Sequence, residues 1–272
     1  MPSYASPPRT VLLGAAGRMG RTIAGRFLAD GKVDLVAAVD PAAEGKSVGG
    51  LAGTSIQGPT IVADVADLPD SIVADIALDF STAAASRLHI EHCLKRGWDI
   101  LIGVTGFAEN DYASFASLAE KYSRRVVVVP NFSLGVNLLL RFAQDAARVF
   151  GRVEIIELHH DKKTDAPSGT AIHTAGTIAR ARRPPPHRGP DDPSRGRSVD
   201  GIPVHAVRLP GLLAHQEVIF GGEGEVLTIR HDTTDRSAFL SGIYLAIEHM
   251  PSLPPGFVRG LDWVFEGRAS SE

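Results

Sequence analysis

A single cysteine, Cys93, in 272 residues leaves no partner for an internal disulfide and no thiol framework for zinc. Without an activating constellation near it, Cys93 reads as a small buried hydrophobe. Net charge is almost absent too. The 28 Lys and Arg stand against 31 Asp and Glu, so no strong field gathers nucleic acid or anionic lipid, and a small soluble partner is expected. No stretch approaches the roughly 20 consecutive apolar residues that span a bilayer, and the start, MPSYASPPRT, lacks the apolar core of a secretory signal. The expectation is a cytoplasmic protein with no membrane or nucleic-acid partner.

What the chain does have is length for two domains of ordinary size. Its first half alternates short aliphatic runs with helix-like segments, the pattern of parallel strands joined by crossover helices. Strands are expected at Thr10–Leu13, Leu35–Val39, Ile76–Phe80, Ile100–Val104 and Val126–Val129. Helices are expected over Arg18–Asp30, Ala83–Arg96 and Glu109–Tyr122, the first two stopped by Gly31 and Gly97. After Asn131 the texture changes. A helix over Leu138–Val149 leads into a strand over Val153–Leu158, and three more β-like runs follow at Val204–Leu209, Glu217–Phe220 and Val226–Arg230. Gly221-Gly222 and Gly224 supply turns for antiparallel pairing. Arg182 to Asp200, dense in Pro, Arg, Asp and Gly, reads as an exposed loop. A last helix over Ala238–Glu248, with Phe239, Leu240, Ile243 and Ala246 spaced along it, suits packing back onto the first domain.

Directly after the first strand comes Gly14-Ala15-Ala16-Gly17-Arg18-Met19-Gly20, opening a helix. Glycines there let backbone approach a pyrophosphate, and the helix presents free N–H groups and its positive dipole end. The spacing is G-x-x-G-x-x-G, a departure from the commoner G-x-G-x-x-G, and the alternative is a plain strand-to-helix turn. About 20 residues on, Asp40 ends the second strand, where a carboxylate holds adenosine ribose hydroxyls; its other role is a turn before Pro41. No guanidinium follows it in Pro41-Ala42-Ala43, so NADH is expected to be accepted, with Lys46 available for NADPH. Phe80, Gly103-Val104-Thr105 and Val129-Pro130-Asn131-Phe132 stand at further strand ends, where the nicotinamide ribose and carboxamide are met or the chain simply turns. The fold class is α/β: a Rossmann dinucleotide-binding domain, residues 1–132 and 236–272, with an inserted α+β substrate domain, residues 133–235, on an open mixed sheet.

The richest segment runs from Glu157 through His159, His160 and Lys163 to Ala171. His159 and His160 end a strand, and Lys163, four residues past His159, can share its side, a set suited to acid–base chemistry. Ser168 can cap a helix there whose Gly169 and Thr170 N–H groups face an anion. A solvated polar connection is the plain alternative for any one of these residues. Metal is not expected, because adjacent histidines without a cysteine do not make a tetrahedral set.

In Gly14 to Gly20, Gly103 to Phe107, Asn131-Phe132-Ser133 with Gly135-Val136-Asn137, and Glu157 to Ala171, the chain resembles the dihydrodipicolinate reductase family, also called 4-hydroxy-tetrahydrodipicolinate reductases, of lysine and diaminopimelate biosynthesis. The resemblance covers almost the whole chain. It implies hydride transfer from NADH or NADPH to a cyclic α,β-unsaturated imine formed by loss of water. It further implies His159 as acid/base residue, Lys163 as proton donor, His160, Lys163, Ser168, Gly169 and Thr170 as binders of the dicarboxylate, and a homotetramer built through the second domain's sheet. Asp40 stands where the family often has Glu, which shortens the carboxylate's reach. Rival readings are another two-domain dehydrogenase of a small amino or keto acid, and a dinucleotide sensor without catalysis. A thioester-forming semialdehyde dehydrogenase would need a nucleophilic cysteine.

Overall fold

Aliphatic runs with no polar alternation cannot face water on either side, and they build the first sheet. The computed structural model describes residues 4–182 and 193–266. Two units divide the chain, Met1–Phe132 with Phe239–Glu272, and Ser133–Ala238. In the first, β1 (Arg9–Leu13), β2 (Asp34–Val39), β3 (Ile61–Val62), β4 (Ile76–Asp79), β5 (Asp99–Ile102) and β6 (Arg125–Val128) alternate with α1 (Arg18–Asp30), α2 (Val48–Ala52), α3 (Ala83–Lys95) and α4 (Glu109–Tyr122). A further strand, Gly256–Arg259, pairs with β6 in parallel. The order from that edge is β6, β5, β4, β1, β2, β3, all parallel.

Val11, Leu12, Leu13, Ile100, Leu101 and Ile102 are all fully buried, so both faces of the sheet are covered. α1 lays Ile23, Ala24 and Phe27 on it and ends at Gly31, whose left-handed φ of 61° brings its N–H onto the Phe27 carbonyl. The helix Ala238–His249 returns here: a Cβ at Gly242 would overlap the Phe132 carbonyl, and the Tyr244 hydroxyl donates to Asp30 at 2.8 Å. The order reverses between β1 and β4, and ligands of such sheets bind beyond the carboxyl ends at that point. Gly14 and Phe80 stand there.

The second unit contains α5 (Leu134–Ala147), β7 (Arg152–His159), α6 (Gly169–Ala181), β8 (Arg197–Val199), β9 (Ile202–Arg208), β10 (Ala214–Gly222) and β11 (Glu225–Thr233). The five strands form a mixed sheet in the order β11, β10, β7, β9, β8, with β7 and β9 parallel and the other pairs antiparallel. Val153, Ile155, Val204, Val218 and Phe220 form its inner face against Leu139 and Ala143 of α5 and Ala175 and Ile178 of α6.

Two expectations change here. α5 begins earlier than Leu138, because Ser133 caps it by accepting from the Val136 N–H at 3.4 Å; Gly135 and Asn137 mask the apolar spacing of that first turn. The stretch from Arg182 to Asp200 is not loop throughout. Arg197–Val199 pairs with β9 through a two-residue turn, Asp200-Gly201, both at positive φ (49° and 77°), the Asp-Gly signature of a tight hairpin. The remainder, 183–192, lies outside the described residues. Among the described residues, no helix is long and apolar enough to cross a membrane.

Candidate active site

The turn after β1 is built by exclusion. A Cβ on Gly14, which sits at φ +79°, would come within 2.7 Å of the Phe80 carbonyl carbon and the Ser81 nitrogen. One on Gly20 would overlap the Gly14 carbonyl oxygen, so α1 can start tight against the turn only with hydrogen there. Gly17 occupies the N-cap without a side-chain hydrogen bond to the helix, and Gly17 and Arg18 are exposed. The N–H groups of the first turn have no acceptor within the helix, which suits an anion.

Not every residue of the loop is free to meet a ligand. The Gly14 and Ala15 N–H groups both donate to the Val39 carbonyl, at 2.9 and 3.2 Å, and Ala15 is buried. The Val129 N–H donates to Ile102 at 2.8 Å. Val104 and Phe132 are buried as well, whereas Thr105 and Pro130 are exposed and Met19 and Asn131 half-buried. Ala15, Val104, Val129 and Phe132 therefore shape the strand ends. Phe80 packs its ring against Phe132, 5.6 Å between centroids, and occupies the space a Cβ on Gly103 would need.

Asp40 joins the second strand end to the glycine turn. One oxygen accepts from the Ala16 N–H at 2.9 Å and the other from the Ala42 N–H at 3.0 Å. On one side of it lies a cavity of about 300 Å³ that includes Arg21 and Lys46 in its wall; Arg21 is fixed by its Nε donating to the Ala16 carbonyl at 2.8 Å. On the other lies one of about 500 Å³, walled by Gly14, Gly17, Asp40, Phe80, Ser81 and His89 among others. Behind Ser81 and His89 of that wall is a group the sequence reading missed. Asp79, fully buried, accepts from the Ser81 N–H and hydroxyl at 2.8 and 2.6 Å, from Ser86 Oγ at 2.8 Å, and pairs with His89 Nδ1 at 3.0 Å. A carboxylate closing an apolar strand was the available signal, because such a group is buried only with partners. Cys93 is fully buried on α3, where desolvation pushes its thiol up, followed by repulsion from Asp79; it is no nucleophile.

In the second unit, strand alternation puts Glu157 on the inner face with Val153 and Ile155. It is completely buried, accepts three hydrogen bonds and has an imidazole nitrogen beside it. Arg208 gives two, at 2.9 and 2.7 Å; the Ser168 N–H gives one at 3.0 Å, and His159 Nδ1 lies at 2.5 Å. Burial raises the Glu157 carboxyl, but the bonds from Arg208, His159 and Ser168 outweigh it and hold the group below the usual carboxylate range. His159 is held below its ordinary value, chiefly by burial, with Lys163 and Arg208 adding repulsion and Glu157 opposing. One carboxylate thus touches both the imidazole and the amino end of α6, which makes them neighbours. Neither Glu157 nor Arg208 was singled out from sequence, although an acidic residue on the inward side of an alternating strand is the sign of a buried pair.

Ser168 caps α6, its Oγ accepting from the Ala171 N–H at 3.2 Å. Gly169 is exposed, with open space where a Cβ would be. His160 Nδ1 is buried without a hydrogen-bond partner. Lys163 is turned onto Asp165, its Nζ donating to both carboxylate oxygens at 2.7 and 2.8 Å. This arrangement can take a small polyanion on an ammonium and helix N–H groups, and exchange a proton through the imidazole beside them.

The family described as dihydrodipicolinate reductase, N-terminus, matches residues 9–132, and dihydrodipicolinate reductase, C-terminus, matches residues 135–264. The 4-hydroxy-tetrahydrodipicolinate reductase of Moorella thermoacetica is 44% identical over 262 residues, covering 95% of this chain and 98% of its own. That of Geobacillus thermodenitrificans is 41% identical over 263 residues, with 95% and 99% covered. Among solved structures, dipicolinate-bound dihydrodipicolinate reductase from Paenisporosarcina sp. TG-14 is similar with a TM-score of 0.79 at 37% identity, covering 94% of this chain and 98% of that one.

Proposed function

The chain belongs to the dihydrodipicolinate reductase family, and on that premise we propose how its residues share the reduction of 4-hydroxy-tetrahydrodipicolinate to tetrahydrodipicolinate. The chain is an NAD(P)H-dependent oxidoreductase of diaminopimelate and lysine biosynthesis. The turn from Gly14 to Gly20 fits a dinucleotide, since side chains are excluded where a pyrophosphate must come close and the Gly17 cap leaves the first amides of α1 uncapped. Gly17, Arg18 and Met19 hold the pyrophosphate, on a turn that the Ala16 N–H ties to Asp40. Asp40 takes the adenosine ribose hydroxyls, and Phe80, Gly103, Thr105, Pro130 and Asn131 meet the nicotinamide end on a bed of Ala15, Val104, Val129 and Phe132. Both coenzymes are accepted: the Asp40 carboxylate serves NADH, and Arg21 with Lys46 in the adjoining cavity serves the additional phosphate of NADPH.

When bound, NAD(P)H supplies the hydride for the conjugated imine left after water loss. The residues of the second unit bind and protonate. Gly169 and Thr170 N–H groups, the Ser168 cap and His160 hold the ring's carboxylates. Lys163 leaves Asp165, an exposed partner worth little in water, to neutralise the dianion and donate a proton. His159 exchanges the proton that completes the reduction, with the bulk of the acceleration coming from orientation and charge neutralisation.

The observation that carries this reading is Glu157 holding His159 and the start of α6 together. The outer face of the five-stranded sheet, where Ile156, Leu158, Val207 and Ile219 are only half-buried, supports a homotetramer formed through it. The function is tested by mixing the purified protein with NADH and freshly made dihydrodipicolinate synthase product. Absorbance at the reduced-nicotinamide band should fall only with both present; a flat trace refutes the reading.

A further inference from the structure

Building on the reading of His159 as the acid/base residue, we infer that Glu157, clamped by Arg208, is a positioning residue that fixes the His159 ring with its Nδ1–H on the carboxylate and Nε2 as the atom that exchanges the proton. An ionised carboxylate can only accept hydrogen bonds. Glu157 is ionised, because the Arg208 guanidinium and the Ser168 N–H reach it with three hydrogen bonds in a fully buried place. The nitrogen 2.5 Å away must then carry the hydrogen, and the neutral ring has one tautomer.

The clamp cannot swing. Arg208 also donates to the Val207 carbonyl at 2.7 Å and the Asp165 carbonyl at 2.8 Å, which ties the loop carrying Lys163 to the same pair. The Ser168 N–H on Glu157 makes the ring and the amino end of α6 move as one body. The charged groups around the imidazole are Glu157 on its own strand, Arg208 on β9 and Lys163 with Asp165 on the following loop. Glu157 alone among those in direct contact favours the protonated ring. A Glu157 that merely neutralised Arg208 would leave the tautomer and the titration of His159 untouched, and this separates the two roles.

The test uses protein labelled with nitrogen-15 histidine, the His159 signals being identified by their loss in His159→Gln. In the unaltered protein the neutral ring should carry its hydrogen on Nδ1; hydrogen on Nε2 overturns the inference. In Glu157→Gln the turnover number should fall about tenfold or more with the KM for NADH unchanged, and the His159-linked limb of the pH profile should move to lower pH by about one unit. Glu157→Asp should restore part of that shift. A folded Gln variant with unchanged limb and tautomer overturns the inference; should that variant not fold, the Asp variant and the tautomer of the unaltered protein decide it. The tautomer is read without substrate, so failure of the reductase reading shows separately, as an unaltered protein that does not oxidise NADH.

Discussion

The backbone N–H of Ala16 donates to Asp40 Oδ2 at 2.9 Å, so the glycine turn proposed for the pyrophosphate and the carboxylate proposed for the ribose are set by one bond. On the proposed reading, coenzyme choice is decided beside that bond. Arg21→Ala and Lys46→Ala should each raise the KM for NADPH about tenfold, the scale of one charge-assisted hydrogen bond to phosphate, while leaving that for NADH within about twofold. Steady-state kinetics with both coenzymes checks this; equal losses with the two would place the phosphate elsewhere.

Gly20→Ala puts a methyl group into the Gly14 carbonyl, where only backbone can give way. A loss of about 1–3 kcal/mol in unfolding free energy is expected, together with weaker NADH binding. Denaturant unfolding and NADH titration measure the two.

Acid should loosen the protein by a definite route. Native His159 and His231 are both held below the ordinary histidine value, burial being the first cause in each, so the unfolded chain binds more protons just below about pH 6.5 and stability falls there as pH falls. Glu157, held low by its partners despite burial, adds stability that is present above the usual carboxylate range and lost as pH drops through its own lower value. His159→Gln should remove part of the upper fall and keep most of the lower one, since Arg208 and the Ser168 N–H still hold Glu157 low. Unfolding midpoints between pH 7 and pH 4 check it.

The elements that could be read from sequence were those with strong periods or stops: five strands of the first sheet, α1 closed by Gly31, and α4. Those that escaped were too short or too poor in pattern. Ile61–Val62 is two residues, the Val48–Ala52 helix contains two glycines, and Gly256–Arg259 follows a Pro-Pro pair. Of the candidate site, residue type pointed to His159 and Lys163 and gave the Ser168 cap, which the structure has. The contacts that tertiary folding brings about were not legible, as with Arg208, which lies 51 residues from Glu157, or Arg21 in one cavity wall with Asp40.

The proposed tetramer is tested on the outer face of the second unit's sheet. Light scattering should give a mass of about four chains, and Ile219→Asp, a charge set on a half-buried apolar position of that face, should lower it, because a desolvated unpaired charge costs several kcal/mol at an interface. A mass unchanged by the substitution would move the interface away from this face.

The most direct test of the account follows the transferred hydrogen itself. NADH carrying deuterium at both C4 positions is supplied with 4-hydroxy-tetrahydrodipicolinate in ordinary water, and the product is weighed by mass spectrometry, with His159→Gln run in parallel. The account predicts product heavier by one deuterium, formed about 100-fold more slowly by the variant with NADH affinity nearly unchanged. Product without deuterium, or a variant as fast as the unaltered protein, would contradict it.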